Sequence, residues 1–220
     1  RERKGAVIRW APVAEDGTFL LDEFEKLIGP RTKIVAITHM SNVTGTVVPV
    51  KEVVRIAHAH GAKVLIDGSQ SAVHLPVDVR DIDADFYAIT GHKLYGPTGI
   101  GVLYGKRELL AAMPPFLGGG EMIRDVTEDL VTYAEPPHRF EAGTPPIVEA
   151  IGFGASLDYM DGLGREAIAA HEADLAAYAH ERLSAINSLR IYGTARGKGA
   201  ILAFDMAGAH PHDIATVLDH

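Results

Sequence analysis

The chain has 220 residues, 47% of them hydrophobic and 23% charged, which suits one large domain, or one domain with part of another, around a sizeable core. A formal net charge of −8 argues against non-specific nucleic-acid binding, and no block of like charges suggests a tail or arm. Cysteine is absent, so the chain builds neither a disulfide framework nor a thiolate metal site; this fits a cytoplasmic protein, and no apolar run approaches the roughly 18 residues of a membrane span.

In chain order, "RERKGAVIRW" has no initiator Met and no signal-peptide core, which points to a processed chain or a fragment. Its "GAVIRW" (5–10) predicts a strand. "LDEFEKLIG" (21–29) predicts a short helix capped by Asp22 and stopped by Gly29 and Pro30. "KIVAITHMS" (33–41) is a nearly continuous apolar run, the pattern of a strand covered on both faces. "PVKEVVRIAHAHGA" (49–62) predicts a helix with Pro at its start and Gly61 as its stop. "KVLIDGSQS" (63–71), "ADFYAIT" (84–90) and "GIGVLYG" (99–105) predict further strands, and "KRELLAAM" (106–113) a short helix.

Residues 114–146 are rich in Gly and Pro with little periodicity, and predict a long functional or mobile loop. Two helices follow, 147–164 and 165–187. The second places Ile168, Leu175, Ala179, Leu183 and Ile186 on one apolar face. "LRIYG" and "AILAFDM" predict strands, and "PHDIATVLDH" begins a helix without a stop signal. The domain boundary is expected near Gly162–Gly164, which divides the chain into 1–163 and a shorter second unit, 164–220.

Strands alternating with helices imply an α/β fold with a sheet wrapped by helices. Such sheets bind ligands outside the carboxyl ends of their strands. The polar ends "THMSN", "DGSQS" and "TGHK" would gather there. Asp67 ends a buried run and needs a partner, or serves as a turn former in "DGS". Lys93 follows "DFYAITGH" and precedes a Gly-Pro loop; alone it would be a solvated charge. In company with Asp67, it suggests a pyridoxal phosphate site, where an amine makes the Schiff base and a carboxylate keeps the pyridine nitrogen protonated. His92 and Thr90 are candidate phosphate ligands, or a turn histidine and a strand residue. Gln70 would hydrogen-bond a ring substituent of the cofactor, or merely a backbone group, and Asn42 would read a cofactor or substrate oxygen, or make a turn with "NVTG". The pairs "HAH" (His58, His60) and "HPHD" (His210, His212, Asp213) lack the helix spacing of zinc proteases, so no metal site is expected. The glycines match neither a Walker nor a Rossmann fingerprint.

Taken together, "HMSNVTGTVVPV", "HGAKVLIDGSQS", "DFYAITGHKLYGPTGIGVLYG", "GGGEMI" and "RFEAGTP" resemble the SufS-type (group II) cysteine desulfurases, in the class V branch of fold-type-I pyridoxal phosphate enzymes. The resemblance runs along essentially the whole chain. It implies a fold-type-I transferase large domain, with a mainly parallel sheet flanked by helices and its N-terminal part missing, plus part of a smaller α/β C-terminal domain.

By resemblance, Lys93 carries the cofactor and is the catalytic base. Asp67 pairs with the pyridinium, Gln70 contacts the phenolic oxygen, and Thr90 and His92 contact the phosphate; Thr90 stands where the family usually has Ser. Asn42 lies near the cofactor and the substrate carboxylate. Thr144 reaches the phosphate of the neighbouring subunit of a homodimer, and Gly118–Ile123 closes over the partner's site. The implied substrate is L-cysteine, the products L-alanine and an enzyme persulfide, and the acceptor a protein of the SufE or SufU kind serving iron–sulfur cluster assembly. The family's persulfide cysteine and carboxylate-binding arginine lie beyond the point that aligns with His220. The chain therefore reads as the central part of such an enzyme, not expected to make a persulfide alone. The competing readings are a selenocysteine lyase or another class V enzyme, and a non-catalytic dimerisation or binding module.

Overall fold

A computed structural model describes residues 5–220. Its centre is a four-stranded sheet in the order β1 (Ile34–Thr38), β2 (Lys63–Asp67), β3 (Phe86–Thr90), β4 (Gly101–Gly105). The first three strands run parallel, and β4 pairs antiparallel with β3. The sheet is thus mixed, a feature the apolar runs do not foretell, since such a run predicts a strand without its direction.

Helices α1 (Leu21–Leu27) and α2 (Val50–Ala59) supply one side of the core. Val53, Val54, Ile56 and Ala57 of α2 pack with Val64, Ile66 and Tyr87 of the sheet. The expected stop at Gly61 holds, with a left-handed φ of 73°. Asp22 does not cap α1: it lies inside the first turn, Leu20 takes the cap position, and no side chain bonds the free amides. A carboxylate there still favours the helix dipole. The strand β1 is not buried on both faces, since Ile34 is exposed beside a buried Val35.

Residues 5–10 form no strand. Val7, Ile8 and Trp10 are exposed, and no strand among the described residues offers their backbone a ladder; β-propensity alone does not hold an extended segment. Two short helices, α3 (Ser71–His74) and α4 (Val79–Ile82), follow β2 unpredicted. After α5 (Arg107–Ala112), the irregular stretch contains a two-stranded hairpin of β5 (Ile123–Val126) and β6 (Val131–Tyr133).

Helix α6 (Ile147–Leu163) packs Phe153 and Met160 against Ala72 and Leu94 in a second core cluster. It breaks from α7 (Arg165–Ser184) at Gly164, whose φ is 83°. No residue of α7 is fully buried, and Leu175 and Ile186 are exposed. The predicted helix is real, but the predicted apolar face is not: Leu175 points to solvent, and Ile186 lies beyond the helix end. The chain ends with the antiparallel pair β7 (Leu189–Tyr192) and β8 (Ala203–Met206), then α8 (Pro211–Leu218).

Candidate active site

Parallel pairing brings the carboxyl ends of β1, β2 and β3 to one sheet edge, where Thr38, Asp67 and Ala88 stand in one row. The loop after β1 carries Asn42, the turn after β2 carries Gln70, and the exit from β3 carries Thr90, His92 and Lys93. These predicted residues therefore share one edge.

The β2 exit turns sharply. Ser69 N donates to Asp67 Oδ1 at 2.9 Å, which aims the carboxylate; Oδ2 has no hydrogen-bond partner among the described residues. Gly68 N donates to Ala88 O at 2.8 Å. A Cβ on Gly68 would stand 1.9 Å from Tyr87 Cε1, so only glycine lets the turn lie this close to β3. Gln70 is half-buried just before α3, and its side chain makes no capping bond.

At the β3 exit, Gly91–Lys93 form a single 3-10 turn. Gly91 O accepts from Leu94 N at 2.9 Å and from Gly96 N at 3.0 Å. Thr90 Oγ1 and His92 Nδ1 are 2.8 Å apart, joined by a hydrogen bond. Leu94 is buried in the α6 cluster and anchors the turn. Tyr95 accepts a left-handed φ of 58°, a conformation that costs a side chain about 1 kcal/mol. Lys93 itself is half-buried and forms no ion pair among the described residues.

Asn42 is exposed in a turn held by Ser41 Oγ, which accepts from Val43 N and Thr44 N at 3.2 and 3.1 Å. Thr144 is exposed on a separate segment before α6, and no hydrogen bond joins it to the strand edge. Its turn meets the glycine run instead: Gly143 N donates to Gly120 O at 2.9 Å.

Beneath the strand edge lies a polar group that the sequence reading missed. His39 Nδ1 is 2.9 Å from Tyr87 Oη, which is 2.6 Å from Ser71 Oγ. All three residues are buried. Burial pushes the His39 imidazole below its ordinary value, so it stays neutral near pH 7. Burial raises the Tyr87 phenol, the hydrogen bond with Ser71 partly offsets this, and the negative charge of Asp67 raises it further. A tyrosine inside a buried strand and a histidine just past a strand's end were the only signals, and both read as ordinary packing.

At the opposite sheet edge His58 Nε2 meets the buried Asp85 Oδ2 at 2.7 Å, and its Nδ1 lies 3.3 Å from Asp83. His210 caps α8 by accepting from His212 N. Among the described residues no group of three or more His, Cys, Asp or Glu is placed to hold a metal ion.

The family description "Aminotransferase class-V" matches residues 1–220. The chain belongs to the class-V aminotransferase family. As a class-V member it is 50% identical over 219 residues to a cysteine desulfurase of Dickeya dadantii, covering 99% of this chain and 53% of that protein. It superposes with a TM-score of 0.94 and 41% identity on the crystal structure of the cysteine desulfurase CsdA (S-sulfonic acid) from Escherichia coli, covering 99% of this chain and 54% of that one. A mutant of C-DES with glycine covalently linked to its pyridoxal phosphate cofactor superposes with a TM-score of 0.82 at 26% identity, over 90% of this chain and 54% of that one. The chain thus spans about half the length of these relatives. The expected α/β class holds, and the fold is that of pyridoxal phosphate-dependent cysteine desulfurases.

Proposed function

We propose that this class-V chain forms the cofactor-binding part of a pyridoxal phosphate-dependent cysteine desulfurase, which takes sulfur from L-cysteine and releases L-alanine. The observation that carries the reading is the strand edge, where Lys93, a half-buried amine without an acidic partner among the described residues, shares its setting with Asp67, a carboxylate with one oxygen unengaged among those residues. The donor set fits the cofactor. An aldehyde calls for an amine, a pyridine nitrogen for a carboxylate, and a phosphate for hydroxyl and imidazole donors.

Lys93 would attach the cofactor and Asp67 would face its ring nitrogen, with Gln70 at the phenolic oxygen and Thr90 and His92 at the phosphate. Asn42 would lie near the cofactor and the substrate carboxylate. The bound cofactor supplies an electron sink for a carbanion at the substrate's Cα. Lys93 takes the proton from that Cα as general base. Asp67 keeps the ring nitrogen charged, a pairing worth on the order of 4 kcal/mol at 4 Å and an effective dielectric of 20, before desolvation.

With no cysteine in the chain, a thiol from elsewhere must receive the sulfur. The C–S bond of the substrate breaks, an S–S bond forms to that thiol, and the thiol's proton ends on the methyl group of alanine. The atoms balance without an added oxidant.

The motif resemblance supports a finer reading. The enzyme is of the SufS type, a cytoplasmic homodimer that passes sulfur to an acceptor of the SufE or SufU kind for iron–sulfur cluster assembly. Thr144 would reach the phosphate held by the other subunit, and Gly118–Ile123 would close over that subunit's site. The bond from Gly143 to Gly120 supports treating these two segments as one unit. The chain divides at Gly164 into a large domain, 1–163, and part of a small one, 164–220.

The test is product analysis. Protein containing these residues, given L-cysteine and a thiol acceptor, should release alanine, and Lys93→Ala should release none. Equal alanine from the variant would overturn the reading.

A further inference from the structure

We propose that His39, Tyr87 and Ser71 form a buried hydrogen-bond relay that positions the Asp67–Gln70 turn for the cofactor, with the Tyr87 hydroxyl at its centre. This rests on the reading of Asp67 and Gln70 as cofactor contacts. None of the three residues is argued to touch the cofactor; they act through the turn.

The relay joins three elements. His39 follows β1, Tyr87 lies in β3, and Ser71 opens α3. One arrangement of protons satisfies every contact at once. Ser71 Oγ–H donates to Gly68 O at 3.3 Å. Ser71 Oγ then accepts from Tyr87 Oη–H, and Tyr87 Oη accepts from His39 Nδ1–H, at 2.6 and 2.9 Å. The chain of donors therefore ends on the carbonyl of the residue that follows Asp67. The order needs a proton on His39 Nδ1 and a protonated Tyr87; burial keeps both residues uncharged, and the Nδ1–H tautomer of neutral His39 meets it.

The backbone of Asp67 is pinned on both sides by the same elements. Its carbonyl accepts from His39 N at 2.9 Å, and Gly68 N donates to Ala88 O at 2.8 Å. The Tyr87 ring fills the space where Gly68 has no side chain. The polar atoms are the telling part. Packing against Gly68 needs only a ring, and phenylalanine would supply it without the desolvation that a buried hydroxyl and imidazole impose. A fully satisfied buried network instead fixes one geometry. Functional constellations need such support, because small displacements of a binding group weaken it.

The test compares Tyr87→Phe with Tyr104→Phe in the cofactor-loaded protein. Tyr104 is the cross-strand neighbour of Tyr87 on β4 and lies outside the relay. Three quantities are read: the dissociation constant for pyridoxal phosphate, the pH midpoint of the bound cofactor's long-wavelength absorbance, and the melting temperature. Tyr87→Phe should weaken cofactor binding about tenfold, the loss expected for one buried hydrogen bond to a positioned group. It should also move the absorbance midpoint, since Asp67 sets the charge at the ring, while the melting temperature shifts by only a few degrees. Tyr104→Phe should leave binding and midpoint unchanged.

A Tyr87→Phe protein with wild-type affinity and midpoint would overturn the relay, as would equal effects from Tyr104→Phe. Should Tyr87→Phe not fold, Ser71→Ala carries the same expectations and the same refutation. Asp67→Asn separates the layers. If Asp67→Asn leaves cofactor affinity unchanged, the underlying reading of Asp67 fails; if it weakens affinity while Tyr87→Phe does not, only the relay fails.

Discussion

Among the described residues Lys26, Lys51, Lys63 and Lys106 each meet a carboxylate, whereas Lys93 meets none, as do Lys33 and Lys198; Lys93 is set apart from those two by its place at the β3 exit. A half-buried amine without an ionic partner remains available for covalent chemistry and proton transfer. Replacing it tests both roles. Lys93→Ala should lower turnover at least 10²- to 10⁴-fold, the range of a lost general base, with far-UV circular dichroism unchanged. Turnover near wild type would remove Lys93 from the chemistry. Asp67→Ala acts differently, because one oxygen of Asp67 is spent on Ser69 N and the other is unengaged among the described residues. It should weaken cofactor binding and slow Cα proton removal by several orders of magnitude. Solvent exchange of the Cα proton, followed by mass spectrometry, reads the second effect apart from the first; an unchanged rate would contradict the role.

Among the elements, the sheet is stapled at the edge opposite the site. Asp85 lies buried just before β3, accepts from Val64 N at 2.8 Å and meets His58 at 2.7 Å, with Lys106 and Lys63 at 3.6 and 3.8 Å. Burial alone would push its carboxyl up. The His58 hydrogen bond, the Val64 amide and the charges of His58 and Lys106 outweigh this and hold it below the usual range. A depressed carboxyl contributes stability above its unfolded value, near pH 4, which is lost as pH falls through the folded value. Asp85→Ala should cost roughly 3–5 kcal/mol at pH 7, as for a broken buried pair, and should flatten the loss of stability below about pH 4. Urea unfolding at pH 7 and pH 3 checks both; equal costs at the two pH values would contradict the linkage.

The same elements show what the sequence made legible. The runs at 33–41, 63–71 and 84–90 named β1, β2 and β3, because buried strands need continuous apolar residues. Their polar ends located the site edge, because a parallel sheet puts those ends together. The direction of β4 was hidden, since pattern carries no polarity. The hairpin of β5 and β6 was hidden because its strands are exposed and follow Gly- and Pro-rich chain. The apolar run at 5–10 misled, because a strand is made by its partner. The relay was silent for a related reason: Tyr87 reads as strand filler, and only the fold sets its hydroxyl between His39 and Ser71.

At the scale of the whole molecule, the chain leaves large apolar side chains in water. Phe116, Val148 and Ile151 are 89%, 79% and 70% exposed, and Thr144 and the glycine run sit near the start of the helix that carries two of them. Exposed apolar surface of this kind marks association. The proposed homodimer predicts that the protein sediments as a dimer and that Ile151→Asp shifts it toward monomer. A monomeric wild type would contradict the dimer and, with it, the role given to Thr144 across subunits.

The central claim is that Lys93 is the amine that carries the cofactor. The direct measurement is to load the protein with pyridoxal phosphate, reduce with borohydride, and locate the modification by peptide mass mapping. A pyridoxyl group on Lys93 is the result predicted. A stable adduct on another lysine, with Lys93 unmodified, would contradict it.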